Sequence, residues 1–406
     1  MDEGKIKIVL VTGSLHGGGA ERFAVNLANG IDSGKFDKTI VSWKPKKSYY
    51  LDESVKLENL FSKTEAELFG LLRQAFRKLP KGKESQTGGD SKKNIKAAFQ
   101  KIFFKISSNR LKRFLRKRKP DIVFSCIHNC NQLVVESCDP ECAVLLSERS
   151  FPHSASLGER NSFYPKAYFV IANSFQTRDF LRKAFPDFGK KIIAIHNPVD
   201  TESILFLGRE NVEHKWLSGK KSPVIIACGR LDHGKGFDVL LKALKKARKK
   251  SGARLLILGE GPLKKELENL RDKLELKNHV DFIGWQNNPF KYMAKADAFI
   301  QTSRFEGFPN TIIEAMALGK PTISTNCKSG PKEIIKNKKN GILVPVDDET
   351  ATAKAIINVL KDKKLKKKLE KNATKRAKEF DSKKIVKQFE KIFISAKEGK
   401  NSEGVA

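Results

Sequence analysis

The stretch ADAFIQTSRFEGFPNTIIEAMALGKPTISTN, residues 296–326, reads as one strand, a glycine- and proline-bearing loop, one helix and a second strand. ADAFIQT (296–302) and PTISTN (321–326) are nearly continuous apolar runs, which strands covered on both faces require. IIEAMAL between them is helical from about Asn310 and carries one charge, Glu314. A strand, helix and strand in so short a space imply a right-handed parallel crossover. The same alternation runs outward in both directions. Upstream lie IKIVLVT (6–12), KTIVSW (38–43), DIVFSCI (121–127), AVLLSE (143–148), AYFVIAN (167–173) and KIIAIHN (191–197). After a break come VIIACGR (224–230), RLLILGE (254–260) and VDFIGW (280–285), with GILVPV (341–346) downstream. The pattern predicts an α/β protein of two doubly wound, Rossmann-like parallel-sheet domains facing a central cleft. The expected divisions are 1–200, a linker at 201–222 through Pro198 and SGKKSP, a second domain at 223–382, and 383–406. In such sheets the ligand site lies at the strand C-termini.

The chain has 406 residues, 39% hydrophobic, and a formal net charge of +33. That composition excludes a wholly disordered chain. No stretch approaches the roughly 18 apolar residues of a membrane-spanning helix. MDEGKIKIVLVTG opens as a strand rather than a signal peptide, so a cytoplasmic protein with six reduced cysteines is expected. From Lys63 to Lys119 there are 18 Lys+Arg against 4 Asp+Glu. Within it, Ala97–Lys119 sets Phe99, Phe103, Ile106 and Phe114 at helical spacing among Lys101, Lys105, Arg110, Lys112, Arg113 and Arg116. This reads either as a basic amphipathic helix on an anionic membrane or as a surface helix with its apolar stripe on the core. The run KGKESQTGGDSKK (81–93) reads as a mobile loop. Nucleic-acid binding is disfavoured, because no recognition motif accompanies the charge.

Two glycine loops follow strands. In HGGGAER (16–22), Gly17, Gly18 and Gly19 precede a helix, and their amides with the helix dipole favour a phosphate. The spacing misses the dinucleotide fingerprint. In CGRLDHGKGFD (228–238), Gly236 stands where a nucleotide-binding P-loop needs Ser or Thr to hold magnesium. Arg230 and Lys235 remain as two cations suited to a diphosphate. Glu306 lies beside Gly307, eight residues before Glu314. Buried in the first turn of an apolar helix, Glu314 requires a partner. Thr311 and Glu314 also fit a capping box.

Taken in order, HGGGAER, CGRLDHGKGFD, LGEGPLKKEL, FEGFPNTIIEAMALGKP, SGPKEII and NGILVPVDD resemble the retaining, nucleotide-sugar-dependent glycosyltransferases of family 4, which have the GT-B fold. The resemblance covers nearly the whole chain and is weakest over 50–118. It implies that Gly17 and Gly18 lie by the donor phosphate and acceptor, and that Arg230 and Lys235 hold the diphosphate. By the same resemblance Glu306 contacts the transferred sugar and Glu314 binds the ribose hydroxyls. Amides around Phe308, Asn310 and Thr311 face the phosphates, His128 contacts the donor sugar, and the helix near Lys383–Phe393 returns to the first domain. The donor nucleotide it implies is UDP. The acceptor is a glycan or lipid-linked saccharide of surface polysaccharide or glycolipid assembly, at the inner membrane face. No Asp-x-Asp occurs, so neither metal nor other cofactor is expected; preformed cations and helix amides stabilise the leaving diphosphate.

Other constellations stay open at this level. Cys126, His128 and Cys130 with Cys138 and Cys142 read as a zinc site or as packed thiols. His16 adjoins the glycine loop, and Glu148 and Arg149 end AVLLSER as acceptor-side candidates or as a salt bridge. His196 reads as a polar loop residue. An epimerase or a soluble glucan or sucrose-type synthase shares the fold but needs no cationic stretch.

Overall fold

In a computed structural model of the chain, residues 4–45, 48–78, 88–152, 157–219 and 222–399 are described. The chain divides into two compact units. The first holds the residues up to Ile171, Leu181–Ile193 and the chain from Val386 on; the second holds Ala172–Phe180 and Ala194–Ile385.

The first unit carries a seven-stranded sheet in the order β3-β2-β1-β4-β5-β6-β7. Its strands are β1 (Ile6–Thr12), β2 (Phe36–Ser42), β3 (Val55–Asn59), β4 (Ile122–Ser125), β5 (Ala143–Glu148), β6 (Phe169–Ala172) and β7 (Ile192–Ala194). β1 pairs in parallel with β2 on one side and β4 on the other, with Val9 opposite both Thr39 and Val123. Strand order therefore reverses at β1. An aromatic cluster covers one part of this sheet. Phe124 of β4 meets Phe23 edge-on at 6.2 Å, and Phe389 and Phe393 of the C-terminal helix lie 5.8 Å from it. These rings dock the helix beginning at Ser382 onto the first unit from Val386 on.

The second unit carries six strands in the order β10-β9-β8-β11-β12-β13. They are β8 (Val224–Cys228), β9 (Arg254–Leu258), β10 (Val280–Gly284), β11 (Ala298–Gln301), β12 (Thr322–Thr325) and β13 (Ile342–Val344). β8 pairs in parallel with β9 and β11, so order reverses at β8. Alternate strand residues enter separate cores. Ile225, Leu255, Ile257 and Ala298 join one buried cluster, whereas Ile226, Leu256, Leu258 and Phe299 join the other. Helices on both faces explain why the strand sequences are apolar at every position.

Two expectations change. Residues 201–219 are not a spacer: helices Thr201–Leu207 and Lys215–Ser218 bring Ile204, Trp216 and Leu217 into the second unit's core. Three apolar anchors outweigh the polar composition of the segment. The expected loop at 81–93 falls partly outside the described residues, but Gly88–Lys93 begins a 31-residue helix, Gly88–Arg118. That helix does turn aromatic residues inward. Phe103 stacks on Phe61 at 5.5 Å and meets Phe69 of the helix Lys63–Lys78 at 5.1 Å.

Candidate functional site

In each sheet the strands flanking the order reversal carry the residues singled out above, as open parallel sheets require of a ligand site. In the second unit these are the loops after β8 and β11. The loop after β8 is anchored to its neighbours through backbone bonds from Gly229 N–H to the Leu258 carbonyl (3.0 Å) and from Leu231 N–H to that of Glu260 (2.9 Å). Arg230 projects from it with its side chain 72% exposed and Asp232 at 3.6 Å. The loop then turns through His233–Lys235 to Gly236 at φ +60°. A Cβ there would lie 2.2 Å from the Thr302 carbonyl oxygen, so only glycine lets this loop touch the end of β11. The Thr302 hydroxyl donates to the Gly236 carbonyl at 2.9 Å and completes the contact.

This contact delivers Lys235 to Glu306. The ammonium nitrogen lies 2.5 Å from Glu306 Oε1. The same oxygen accepts from Ser303 Oγ at 2.7 Å and from Gln301 Nε2 at 3.2 Å. Burial alone would lower the lysine's pKa, but the Glu306 carboxylate outweighs it and holds Lys235 above its ordinary value. Among the described residues no hydrogen bond reaches Glu306 Oε2. One carboxylate oxygen is thus anchored while the other can meet a hydroxyl.

Glu314 is buried in the helix Asn310–Ala317, but at its fifth position, one turn deeper than the sequence reading. The capping box does not form. The helix begins after Pro309 with no side-chain cap, and the Thr311 hydroxyl donates instead to Gln301 Oε1 at 2.9 Å. Its first-turn amides are therefore not claimed by a capping side chain. Asn310 Oδ1 accepts from Asn197 Nδ2 at 2.8 Å, and the Phe308 ring stacks on His196 at 4.6 Å and 18°. His196 is no solvated loop residue. Its Nε2–H donates to Glu333 at 2.9 Å, and both oxygens of Glu333 accept the amides of Phe175 and Gln176. Through the Phe308 stack, the SGPKEII motif supports the loop that carries Glu306.

In the first unit, the loop after β1 holds His16, Gly17 and Gly18. Gly17 sits at φ +108° with open space where a Cβ would be, and the Tyr49 hydroxyl donates to its carbonyl at 2.9 Å. His16 Nδ1 is engaged by the Ser48 hydroxyl. Gly18 caps the helix Gly19–Gly30, and the Glu21 carboxylate folds back to its amide. The anion that the sequence reading places at this helix end is here the chain's own carboxylate. Burial pushes Glu21 up, with the amides of Glu21 and Gly18 partly offsetting it.

β4 runs into the turn His128–Cys130, and β5 ends at Glu148. Glu148 is fully buried and collects four donor contacts. Arg160 Nε and Nη2 reach its two oxygens at 3.0 and 3.1 Å, the Tyr164 hydroxyl donates at 2.6 Å, and His128 Nδ1 lies at 3.1 Å. Burial would raise its pKa, yet His128 and Arg160 outweigh burial and hold Glu148 below the usual carboxylate range. The acceptor-side expectation for Glu148 and Arg149 meets a different geometry. Glu148 is turned inward, and the Arg149 guanidinium lies 3.9 Å from the Phe23 ring centroid. Alternation along a buried strand end decides this, and composition does not reveal it. Cys126 and Cys130 are buried, and burial pushes Cys126 up to about 12. Among the described residues no three His, Cys, Asp or Glu side chains gather as a metal would need.

Residues 208–376 match the model of the family described as Glycosyl transferases group 1. An N-acetylgalactosamine-N,N'-diacetylbacillosaminyl-diphospho-undecaprenol 4-alpha-N-acetylgalactosaminyltransferase of Campylobacter jejuni is 37% identical over 225 residues, 55% of this chain and 60% of that protein. The alignment thus spans less than two thirds of that relative. A second C. jejuni protein, an alpha-1,4-N-acetyl-D-galactosaminyltransferase named for a GalNAc-bearing diNAcBac-PP-undecaprenol, is 27% identical over 402 residues, 97% of this chain and 99% of that protein. Among solved structures, HepE of Anabaena in complex with UDP and glucose superposes with a TM-score of 0.69 at 18% identity, covering 96% of this chain and 100% of that one. The fold is GT-B.

Sequence reasoning missed Arg160, Tyr164 and the part played by His196. Arg160 and Tyr164 sit in a polar stretch without periodicity, and only the buried Glu148 calls for them. A fully internal carboxylate at a strand end was the available signal.

Proposed function

We propose that the chain is a retaining, metal-independent glycosyltransferase that moves an N-acetylhexosaminyl residue from a UDP donor to a polyprenyl-diphosphate-linked saccharide. The observation that carries this reading is the Lys235–Glu306 pair at the strand-order reversal of the second sheet. Arg230 and Lys235 neutralise the donor diphosphate as the sugar C1–O bond breaks. Glu306 Oε2 takes a hydroxyl of the sugar, Glu314 takes the ribose hydroxyls, and the uncapped amides of the helix at Asn310 face phosphate oxygens. His128 contacts the transferred sugar. The acceptor oxygen attacks C1 from the face that the diphosphate leaves, and its proton passes to the departing phosphate oxygen. Two relatives named for undecaprenol-linked substrates and alpha linkages support the acceptor class and, for an α-linked donor, retention.

The helices Lys63–Lys78 and Gly88–Arg118 fit work at the cytoplasmic face of a membrane. Leu68, Leu71 and Ile102 are 55%, 64% and 59% exposed, and Ile102 is flanked by exposed Lys101 and Lys105. Apolar side chains among lysines suit an anionic bilayer surface better than nucleic acid. No helix among the described residues is long and apolar enough to cross a membrane.

The test is calorimetric titration of the chain with UDP, GDP and ADP in EDTA, followed by NMR of the product anomer. Micromolar UDP binding without metal and an α product from an α donor are expected. A β product overturns retention, and UDP binding that appears only with added magnesium overturns metal independence.

A further inference from the structure

His128 stands in a contact set that its proposed contact with a sugar does not by itself require. The Glu148 carboxylate takes Arg160 on both oxygens and the Tyr164 hydroxyl on Oε1, donors that an ionised carboxylate collects, and an ionised carboxylate only accepts hydrogen bonds. His128 Nδ1, 3.1 Å from Glu148 Oε1, must therefore carry the proton. In the neutral ring the lone pair is then on Nε2, which reverses the preference of a free histidine side chain. Arg160 Nη2 lies 3.3 Å from Nδ1 and 3.5 Å from Nε2. Near-equal distances to both nitrogens put the guanidinium over the ring face, since a donor in line with one nitrogen stands much farther from the other. The ring is thus clamped along one edge and one face. Glu148, Arg160 and Tyr164 are 0%, 2% and 0% exposed, whereas the His128 side chain is 27% exposed.

We propose that Glu148, fixed by Arg160 and Tyr164, is a positioning residue that holds His128 in its Nδ1–H form, so that Nε2 presents a lone pair to a hydroxyl hydrogen of the transferred sugar. The proposal rests on the reading of His128 as a sugar contact. A buried ion pair replaceable by apolar groups is retained here for the orientation it imposes on a partly exposed neighbour. Tyr164 and Arg160 have the geometry of a support shell: neither is exposed enough to meet a substrate, and both donate to Glu148.

The test combines ring NMR with kinetics on the full chain. Nitrogen-15 labelling of the seven histidines, with His128→Ala for assignment, reads the tautomer directly. Wild-type His128 is expected as Nδ1–H. Glu148→Gln should mix the tautomers and lower kcat roughly 10- to 100-fold, the range seen when support of an imidazole is removed, with the Kd for UDP within about twofold. Because that change strands Arg160, the double variant Glu148→Leu with Arg160→Met removes the pair whole, keeps the volume and should shift the ring to Nε2–H with the same kcat loss. An Nε2–H ring in the wild type, or an unchanged tautomer and kcat in the folded double variant while His128→Ala loses turnover, overturns the positioning role and leaves the donor reading standing. Wild-type turnover in His128→Ala overturns the sugar contact itself, and the proposal with it.

Discussion

Lys235 and Glu306 lie 71 residues apart in the chain, yet the lysine nitrogen is 2.5 Å from one carboxylate oxygen. Each answers a different need of the other. Glu306 keeps a half-buried ammonium charged, and Lys235 ties down one oxygen so that the second can be aimed. In Glu306→Gln the lysine loses its internal partner and the bound diphosphate takes that partner's place, so the Kd for UDP should hold or tighten. Turnover should fall by roughly 10²–10³, the usual loss for one electrostatic contact to the transition state. Lys235→Ala should weaken UDP and turnover together. Calorimetry beside steady-state kinetics separates the two patterns, and a Glu306→Gln enzyme that loses UDP affinity without losing kcat contradicts the assignment.

Glu314 is expected to behave in the opposite way. A buried carboxylate serving ribose hydroxyls contributes to binding in ground and transition states alike. Glu314→Gln should weaken UDP by about 10-fold or more, from a charged hydrogen bond of roughly 1.5–3 kcal/mol, with kcat at saturating donor little changed. A kcat defect at saturation with unaltered UDP affinity removes Glu314 from the ribose.

How far the sequence reaches is clear from particular elements. Twelve strands announce themselves as apolar runs because helices cover both sheet faces, but β3, with the sequence VKLEN, does not. It is an edge strand that pairs only with β2 and buries only Val55, so its pattern is mostly polar. Arg230, Lys235, Glu306 and Glu314 stand out because charges beside glycine turns or inside apolar helices are anomalous locally. Arg160 and Tyr164 do not stand out, and Glu148 reads only as a charge at a strand end. Their meeting depends on where β5 ends relative to a segment twelve residues on, which no local pattern encodes.

Gly236 and Gly252 both adopt left-handed backbone, at φ +60° and +66°, and so form a matched pair. A Cβ on Gly252 meets nothing within 4 Å, whereas one on Gly236 lies 2.2 Å from the Thr302 carbonyl. Gly252→Ala should cost only the conformational term, about 1 kcal/mol. Gly236→Ala adds a backbone displacement at the Lys235 loop and should cost about 2–4 kcal/mol, with UDP affinity reduced as well. Urea denaturation of the two variants decides the matter. Equal losses would mean that the loop moves away freely, and that the contact with Thr302 does not position Lys235.

Glu65 and Arg110 join the two helices of the basic segment through paired bonds of 3.0 and 2.6 Å, and Arg110 also donates to the Leu60 carbonyl at 2.8 Å. The Arg110 hydrogen bonds, with that from the Ser62 amide, bring Glu65 down to about 2. A carboxylate whose folded pKa is depressed stabilises fully above its unfolded value and loses that contribution as pH falls through the folded one. The link is therefore intact above about pH 4.5 and lost towards pH 2. Carbon-13 NMR titration of Glu65 should show the low midpoint, and Arg110→Ala should return it towards 4.5. An ordinary midpoint in the intact chain shows that the pair does not form in solution.

The same helix pair is the part of the chain proposed to meet lipid. Phe69, Phe99 and Phe103 of the pair pack against one another and Phe61, while Leu68, Leu71, Leu72 and Ile102 are exposed. Exposed aliphatic side chains beside lysines are what the proposed contact with anionic headgroups requires. Vesicle flotation should recover the chain with phosphatidylglycerol-containing vesicles and not with phosphatidylcholine alone, and salt should weaken the association. Leu68→Ser, Leu71→Ser and Ile102→Ser together should reduce the bound fraction constant by roughly tenfold or more, since each removes apolar surface that inserts at the interface. Lys101→Glu with Lys105→Glu should abolish the lipid preference while leaving UDP affinity unchanged, because both residues lie outside the second unit that carries Lys235 and Glu306. Flotation indifferent to both sets of changes would return this segment to an ordinary surface helix pair, with its charge serving solubility alone.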